Sequence, residues 1–243
     1  NTAHAELSFH RAADLHAFGM PEDRMARMAA RRAFVEMKTS FMHAVAEDAF
    51  RDADPGDVLL TPNWLYHGHS NESAQDAYWI DFLDAPLTST LGAMFFQHHP
   101  GPPDGGQPVE TKSPMRFAFA DYAPQLQSQR ESAPGVRELL LGPASLLTFD
   151  RLAIHLAEGV EWQVIRSTAN QIYTVVQGRG KSRIGDREFA WERGDMIAAP
   201  GWRDQRHEAS ADTLLLRVSD EPLMRLLNWF HTGPSMAHAK AQP

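Results

Sequence analysis

The chain contains no cysteine. Disulfides, thiolate nucleophiles and thiolate metal sites are therefore excluded, and the imidazoles of its twelve histidines are left as nitrogen donors for a metal. It also lacks any apolar run near the ~20 residues that a spanning helix needs, and no secretory signal pattern opens it. Basic charge is not in excess. The formal net charge is −8, so bulk electrostatics favour neither nucleic acid nor an anionic membrane as a partner. A chain without cysteine or leader pattern is expected in a reducing cytoplasm. What is present is ordinary for a soluble globular protein: 43% hydrophobic and 22% charged residues over 243 positions, enough for one large or two small domains. The first residue is Asn1 rather than Met, as expected of a fragment or a trimmed chain.

Residues 1 to about 50 differ from the rest, being rich in alanine and holding Met20, Met25, Met28, Met37 and Met42. Pro21-Glu22-Asp23 is a helix-start signal, and Met25, Met28, Ala29 and Ala33 follow at helical spacing, which predicts a helix ending near Lys38. His4, His10, His16 and His43 form no His-x-His pair and read as surface residues. From Phe41 the pattern becomes strand, turn, strand, with Pro55-Gly56 as a tight turn and a further strand over 77–82. A short helix is expected within 86–97. The breaker-rich stretch 98–106, with His98 and His99 at its start, reads as a linker. Residues 113–145 read as mixed loops with an amphipathic patch at Val136 and Leu139 to Leu141. Beyond it, strands are expected at 146–149, 152–156, 163–165, 171–176, 181–184, 188–191 and 213–218. Their Gly-Asp and Gly-x-Gly turns point to an antiparallel sandwich or barrel. An amphipathic helix over 221–230 and a disordered tail after Gly233 close the chain.

One frame occurs twice. Gly56-Asp57-Val58-Leu59-Leu60-Thr61-Pro62 leads to His67, and Gly194-Asp195-Met196-Ile197-Ala198-Ala199-Pro200 leads to Gln205 at the same spacing. Two copies of one β-unit are the simplest reading, and the copies differ where chemistry would sit. On an extended backbone His67 and His69 point to one side, because strand side chains alternate with period 2. Paired imidazoles can supply a metal ligand and a neighbouring acid–base group.

Both frames resemble the second motif of the cupin superfamily, in which the residue five beyond the proline is a metal ligand. Three further stretches narrow the resemblance to the gentisate 1,2-dioxygenase family. They are Thr61-Pro62-Asn63-Trp64-Leu65-Tyr66-His67-Gly68-His69, Trp79-Ile80-Asp81-Phe82-Leu83-Asp84-Ala85-Pro86-Leu87, and Arg166 to Gly180. The related salicylate and 1-hydroxy-2-naphthoate dioxygenases share the pattern, which covers residues 41 to 232. The resemblance implies an all-β, double-stranded β-helix (jelly-roll) bicupin with a helical N-terminal segment and a C-terminal helix. Its expected divisions are a diverged helical segment (1–40), a remnant or variant first cupin (41–97), an inter-domain region (98–145), a second, metal-free cupin (146–232) and a tail (233–243). The implied activity is Fe(II)-dependent ring cleavage of gentisate or a related hydroxylated aromatic acid by O2, in a homo-oligomer. His67 would be an iron ligand, His69 a catalytic and substrate-side residue, and Arg32 a substrate-binding residue.

The family's other two iron ligands come from a His-x-His pair upstream of His67, where this chain reads Arg24-Met25-Ala26-Arg27-Met28. Three readings follow: a first cupin that has lost its metal, a site completed by His10, His16 or His43, or an N-terminal segment unlike the parental protein. In the second copy the pair positions fall at Ile165 and Ser167 and the motif-2 ligand is Gln205, a set that cannot hold iron. Arg166 and His207 are then expected to be structural or interfacial. A non-catalytic bicupin, binding an aromatic acid or acting as an assembly scaffold, is the competing class. A cupin isomerase or other metal enzyme is a third.

Overall fold

A computed structural model describes residues 55–60, 80–92, 116–142 and 147–234, and the backbone alone of Ala5–Ser8, Met42–His43 and Ala49–Phe50. The expected helix over 21–38, the linker at 98–106 and the tail beyond 234 lie outside the described residues.

The N-terminal part contributes short pairings. Strand β1 (Ala5–Ser8) runs parallel to β5 (Ile80–Leu83), β2 (Met42–His43) pairs with β3 (Ala49–Phe50), and β4 (Val58–Leu59) pairs with β6 (Arg116–Phe117). Helix α1 (Ala85–Thr90) follows β5, and α2 (Phe119–Gln127) follows β6.

The second part is built from β7 (Glu131–Ala133), β8 (Val136–Leu140), β9 (Asp150–Leu156), β10 (Glu161–Val164), β11 (Arg166–Ser167), β12 (Gln171–Gln177), β13 (Arg179–Ile184), β14 (Arg187–Glu192), β15 (Met196–Ala199), β16 (Gln205–Ala209) and β17 (Thr213–Ser219). Helix α3 (Glu221–Leu226) and β18 (Thr232–Gly233) follow. Six strands form one sheet in the order β15-β12-β17-β9-β8-β7, and four form another in the order β10-β16-β13-β14. Every pairing within these two sheets is antiparallel.

The sheets close face to face over Val136, Ile154, Leu156, Tyr173, Val175, Ile184, Trp191, Ile197 and Leu215. This is a double-stranded β-helix, the cupin fold expected from the sequence. Burial follows the layering. Strand β13 alternates exposed and buried because only one of its faces meets the core, whereas β12 is buried at every position but its last. The second face of β12 and β17 packs through Val176, Leu214 and Leu216 against Tyr122 and Leu126 of α2, and against Val58 and Phe117 of β4 and β6.

Three local expectations differ from the structure. The region read as mixed loops contains α2 and the strands β7 and β8, which extend the six-stranded sheet beyond β9. Residues 147–149 are not a strand. Phe149 is buried there outside any strand, so its apolar run reflects burial. The helix expected over 221–230 stops at Leu226 because Asn228 takes a left-handed backbone (φ +57°). The amides of Trp229 and Asn228 then bond back to the carbonyls of Met224 and Arg225, a Schellman stop.

Candidate functional site

His67, His69 and Arg32 lie outside the described residues. The turn and the short strand β4 that precede His67 in sequence are described. Gly56 has φ +94°, and a Cβ there would come within 2.8 Å of Phe119 and 3.0 Å of Val176, so only glycine fits the turn. Asp57 is buried and accepts hydrogen bonds from Arg116 Nε (3.0 Å), Arg116 Nη2 (2.7 Å) and the Phe119 amide (2.7 Å). The Tyr122 hydroxyl donates to the Gly56 carbonyl at 2.6 Å, and burial, helped by the Asp57 carboxylate, raises its pKa. The turn is thus held by both ends of α2's first turn and by β6. Farther along, Asp84 accepts from the Thr148 hydroxyl at 3.0 Å, which ties the residue before α1 to the approach of β9.

The second frame has the same turn with different partners. Gly194 has φ +91°, its amide bonds the Val175 carbonyl at 2.8 Å, and Asp195 accepts from the Glu192 amide at 2.8 Å. Gln205, in the position of His67, points into the barrel and is 2% exposed. Around it lies a closed polar cluster. The Tyr173 hydroxyl is 2.5 Å from Gln171 Oε1 and 2.9 Å from Gln205 Oε1. His207, fully buried, meets Ser182 Oγ through Nδ1 at 2.7 Å, and Trp191 Nε1 donates to the same oxygen at 2.8 Å. The His207 ring lies 4.6 Å from Tyr173 and 5.5 Å from Trp162, centroid to centroid, and its Nε2 is buried with no hydrogen-bond partner. Burial pulls the His207 pKa down to about 3, so the ring is neutral at physiological pH.

Ile165 and Ser167 do not share the inward face expected from their spacing: Ser167 is buried, but Ile165 is 73% exposed. Strand β10 ends at Val164, and Ile165 stands outside both it and β11, which pair with different strands, so the period of 2 is broken there. Arg166 is buried, stacked 4.7 Å from the Trp202 ring. Trp202 holds a positive φ (63°), a conformation costing a bulky residue about 1–3 kcal/mol, and its amide bonds the Ser167 carbonyl at 2.6 Å. Arg166 is thus buried against a half-exposed Trp202, whereas His207 lies inside the barrel core. Among the described residues no group of three or more His, Asp or Glu is arranged to hold a metal. The sequence reading missed the Tyr173–Gln171 contact. Its signal was available in Gln171-Ile172-Tyr173, where two polar residues stand two apart on a strand whose neighbours are apolar.

No protein-family model matches the chain. Curated proteins do. A gentisate 1,2-dioxygenase from Streptomyces sp. is 30% identical over 73% of this chain and 60% of its own length. This chain is a relative of the gentisate 1,2-dioxygenases. A 5-aminosalicylate 1,2-dioxygenase from Comamonas sp. is 28% identical over 70% of the chain and 54% of its own length. The chain thus spans only part of these relatives. The crystal structure of a salicylate 1,2-dioxygenase from Pseudaminobacter salicylatoxidans superposes with a TM-score of 0.73 at 24% identity, covering 82% of this chain and 66% of that one. That likeness establishes the shared cupin fold.

Proposed function

We propose that the chain serves an Fe(II)-dependent dioxygenase that opens the ring of gentisate or a related hydroxylated aromatic carboxylic acid. The observation that carries this reading is the kinship with gentisate 1,2-dioxygenases across most of the chain, with His67 standing at the ligand position of the first frame. The divisions drawn at 41–97 for a first cupin and 146–232 for a second belong to this proposal, as do a homo-oligomeric assembly and a cytoplasmic location.

The two frames differ in how well their donors suit iron. A neutral imidazole at His67 is a fitting ligand for a ferrous ion, whereas the amide of Gln205, held by a phenol, is not. Iron, when bound, supplies the redox centre through which O2 and the aromatic acid react. The rest falls to side chains. His69, two residues beyond His67, would hydrogen-bond the substrate's ring oxygens and move a proton to or from them. Arg32 would pair with its carboxylate, where a guanidinium can make two parallel bonds. The segment that leads toward His67 in sequence starts from the turn held by Asp57, Arg116 and Tyr122, which fixes where β4 begins.

The test is anaerobic reconstitution of the purified chain with Fe(II), followed by iron analysis and the absorbance change of gentisate on ring opening. Bound iron and turnover, both lost in His67→Ala, are the expected result. A folded chain with iron at background and no turnover overturns the reading and leaves the non-catalytic scaffold.

A further inference from the structure

Arg166 is 7% exposed, yet among the described residues its guanidinium has no hydrogen-bond acceptor and no ion pair. Its partner is the Trp202 ring, 4.7 Å from Cζ to the ring centroid. A guanidinium carries five N–H donors, and withdrawing them from water without an acceptor is costly. By contrast, Arg116 holds Asp57, Arg217 holds Asp150, and Arg151 donates to the Leu141 carbonyl. Of the Arg166 nitrogens only Nε is sealed from solvent, which leaves the Nη edge as the approach for a ligand. The surrounding backbone is tied in place. Strand β11 sets Arg166 opposite Gly233 of β18, which has no side chain to place against the guanidinium. The Trp202 amide donates to the Ser167 carbonyl at 2.6 Å, and the Thr168 hydroxyl donates to the Trp229 carbonyl (2.8 Å) and accepts from the His231 amide (3.0 Å). Residues 166–168, 201–202 and 229–233 are thus drawn together, and Trp202 and Trp229 among them are 46% and 59% exposed. Trp202 also keeps its positive φ (63°) while nearly half of it faces solvent, so burial of its ring does not account for the strain.

We propose that Arg166 and Trp202 form a binding site for a monocarboxylic acid with an apolar body. The carboxylate accepts two N–H bonds from the Nη edge of Arg166, supplying the counter-charge that the described residues do not. The apolar body lies against the exposed part of the Trp202 indole, which a bare anion would leave in water. Binding there requires neither ring cleavage nor iron at His67.

The experiment uses the full chain, freed of metal by a chelator and carrying Arg32→Ala/His67→Ala so that binding at the first frame is not counted. Benzoate is titrated by calorimetry and by tryptophan fluorescence, with acetate as the bare anion and benzyl alcohol as the neutral counterpart. Saturable benzoate binding is expected, weakened about tenfold or more by Arg166→Met or Trp202→Gly, with acetate and benzyl alcohol weaker by a similar factor. Benzoate is also expected to raise the melting temperature only where both side chains are present. Arg166→Met removes a charge without a partner and Trp202→Gly relieves the positive φ, so both variants are expected to fold. Arg166→Lys, which keeps the charge but loses the fork, replaces the methionine version if that protein does not melt cooperatively, with the same weakening expected. No saturable benzoate binding overturns the proposal, as does unchanged affinity in a folded Arg166 variant. So does a smaller assembly of Arg166→Met in sedimentation, because a carboxylate from a second copy would then be the guanidinium's partner.

Discussion

A histidine enclosed by Tyr173, Trp162 and Ser182 cannot take a proton without bringing a charge into a dry core. The folded-state pKa of His207 is lowered to about 3 by burial, against an ordinary 6.5 in the unfolded chain. Between those values the unfolded state binds more protons than the folded one, so stability rises with pH through that window. The contribution is complete above pH ~6.5 and is lost as pH falls toward 3, by at most ~1.4 kcal/mol per pH unit. His207→Gln, which removes the titration, is expected to flatten the fall in urea midpoint between pH 6.5 and 4 relative to the native chain. An unchanged acid limb would show that another group controls it. Asp57 is the opposite case, a buried charge with a cation against it. Asp57→Ala removes the carboxylate that Arg116 and the Phe119 amide donate to and should cost about 3–5 kcal/mol in denaturant titrations. A loss under 1 kcal/mol would mean that water already screens the pair.

Helix α2 shows why some elements were legible in the sequence and others were not. Strands of the second barrel announce themselves: β13 alternates in polarity, and its Gly178 and Gly185 turns bracket it at positive φ. The duplicated Gly-Asp frame was equally readable, down to matching φ values at Gly56 and Gly194. Helix α2 was hidden by Pro124, which normally argues against a helix interior because it removes an amide donor. Its only pattern is Tyr122 and Leu126, one turn apart, both buried against the sheet. Tertiary burial outweighs the proline here. Leu126 is fully buried, so Leu126→Ala should cost about 2–5 kcal/mol, well above an exposed substitution such as Gln125→Ala in the same helix. Comparable midpoints for the two would remove α2 from the core. Conversely, the 221–230 segment has apolar residues at helical spacing, yet Leu226 and Trp229 are 65% and 59% exposed and the helix ends early. Periodicity reports the opportunity for a buried face, and only packing decides whether the face is used.

The central sheet is covered on both sides, and this determines which part of the molecule can stand alone. Its inner face closes the barrel, and its outer face is covered by α2 with β4 and β6. A boundary at 146 would divide that arrangement. A piece comprising 146–234 would leave Val176, Leu214 and Leu216 uncovered, lose Val136 from the barrel core and turn β9 into an open edge. A piece comprising 114–234 keeps β7, β8 and α2, and of the described contacts it loses the cover given by β4, the Asp57 clamp and the Thr148–Asp84 bond. The longer piece is therefore expected to melt cooperatively, at a lower temperature than the full chain, while the shorter one aggregates or shows no transition. Circular dichroism melts and gel filtration of the two pieces make the comparison. Equal melting temperatures would mean that the outer face needs no cover and that the barrel is autonomous from 146. The same pair of pieces separates the roles of the two frames, since neither contains His67 and both contain Gln205, Tyr173 and His207.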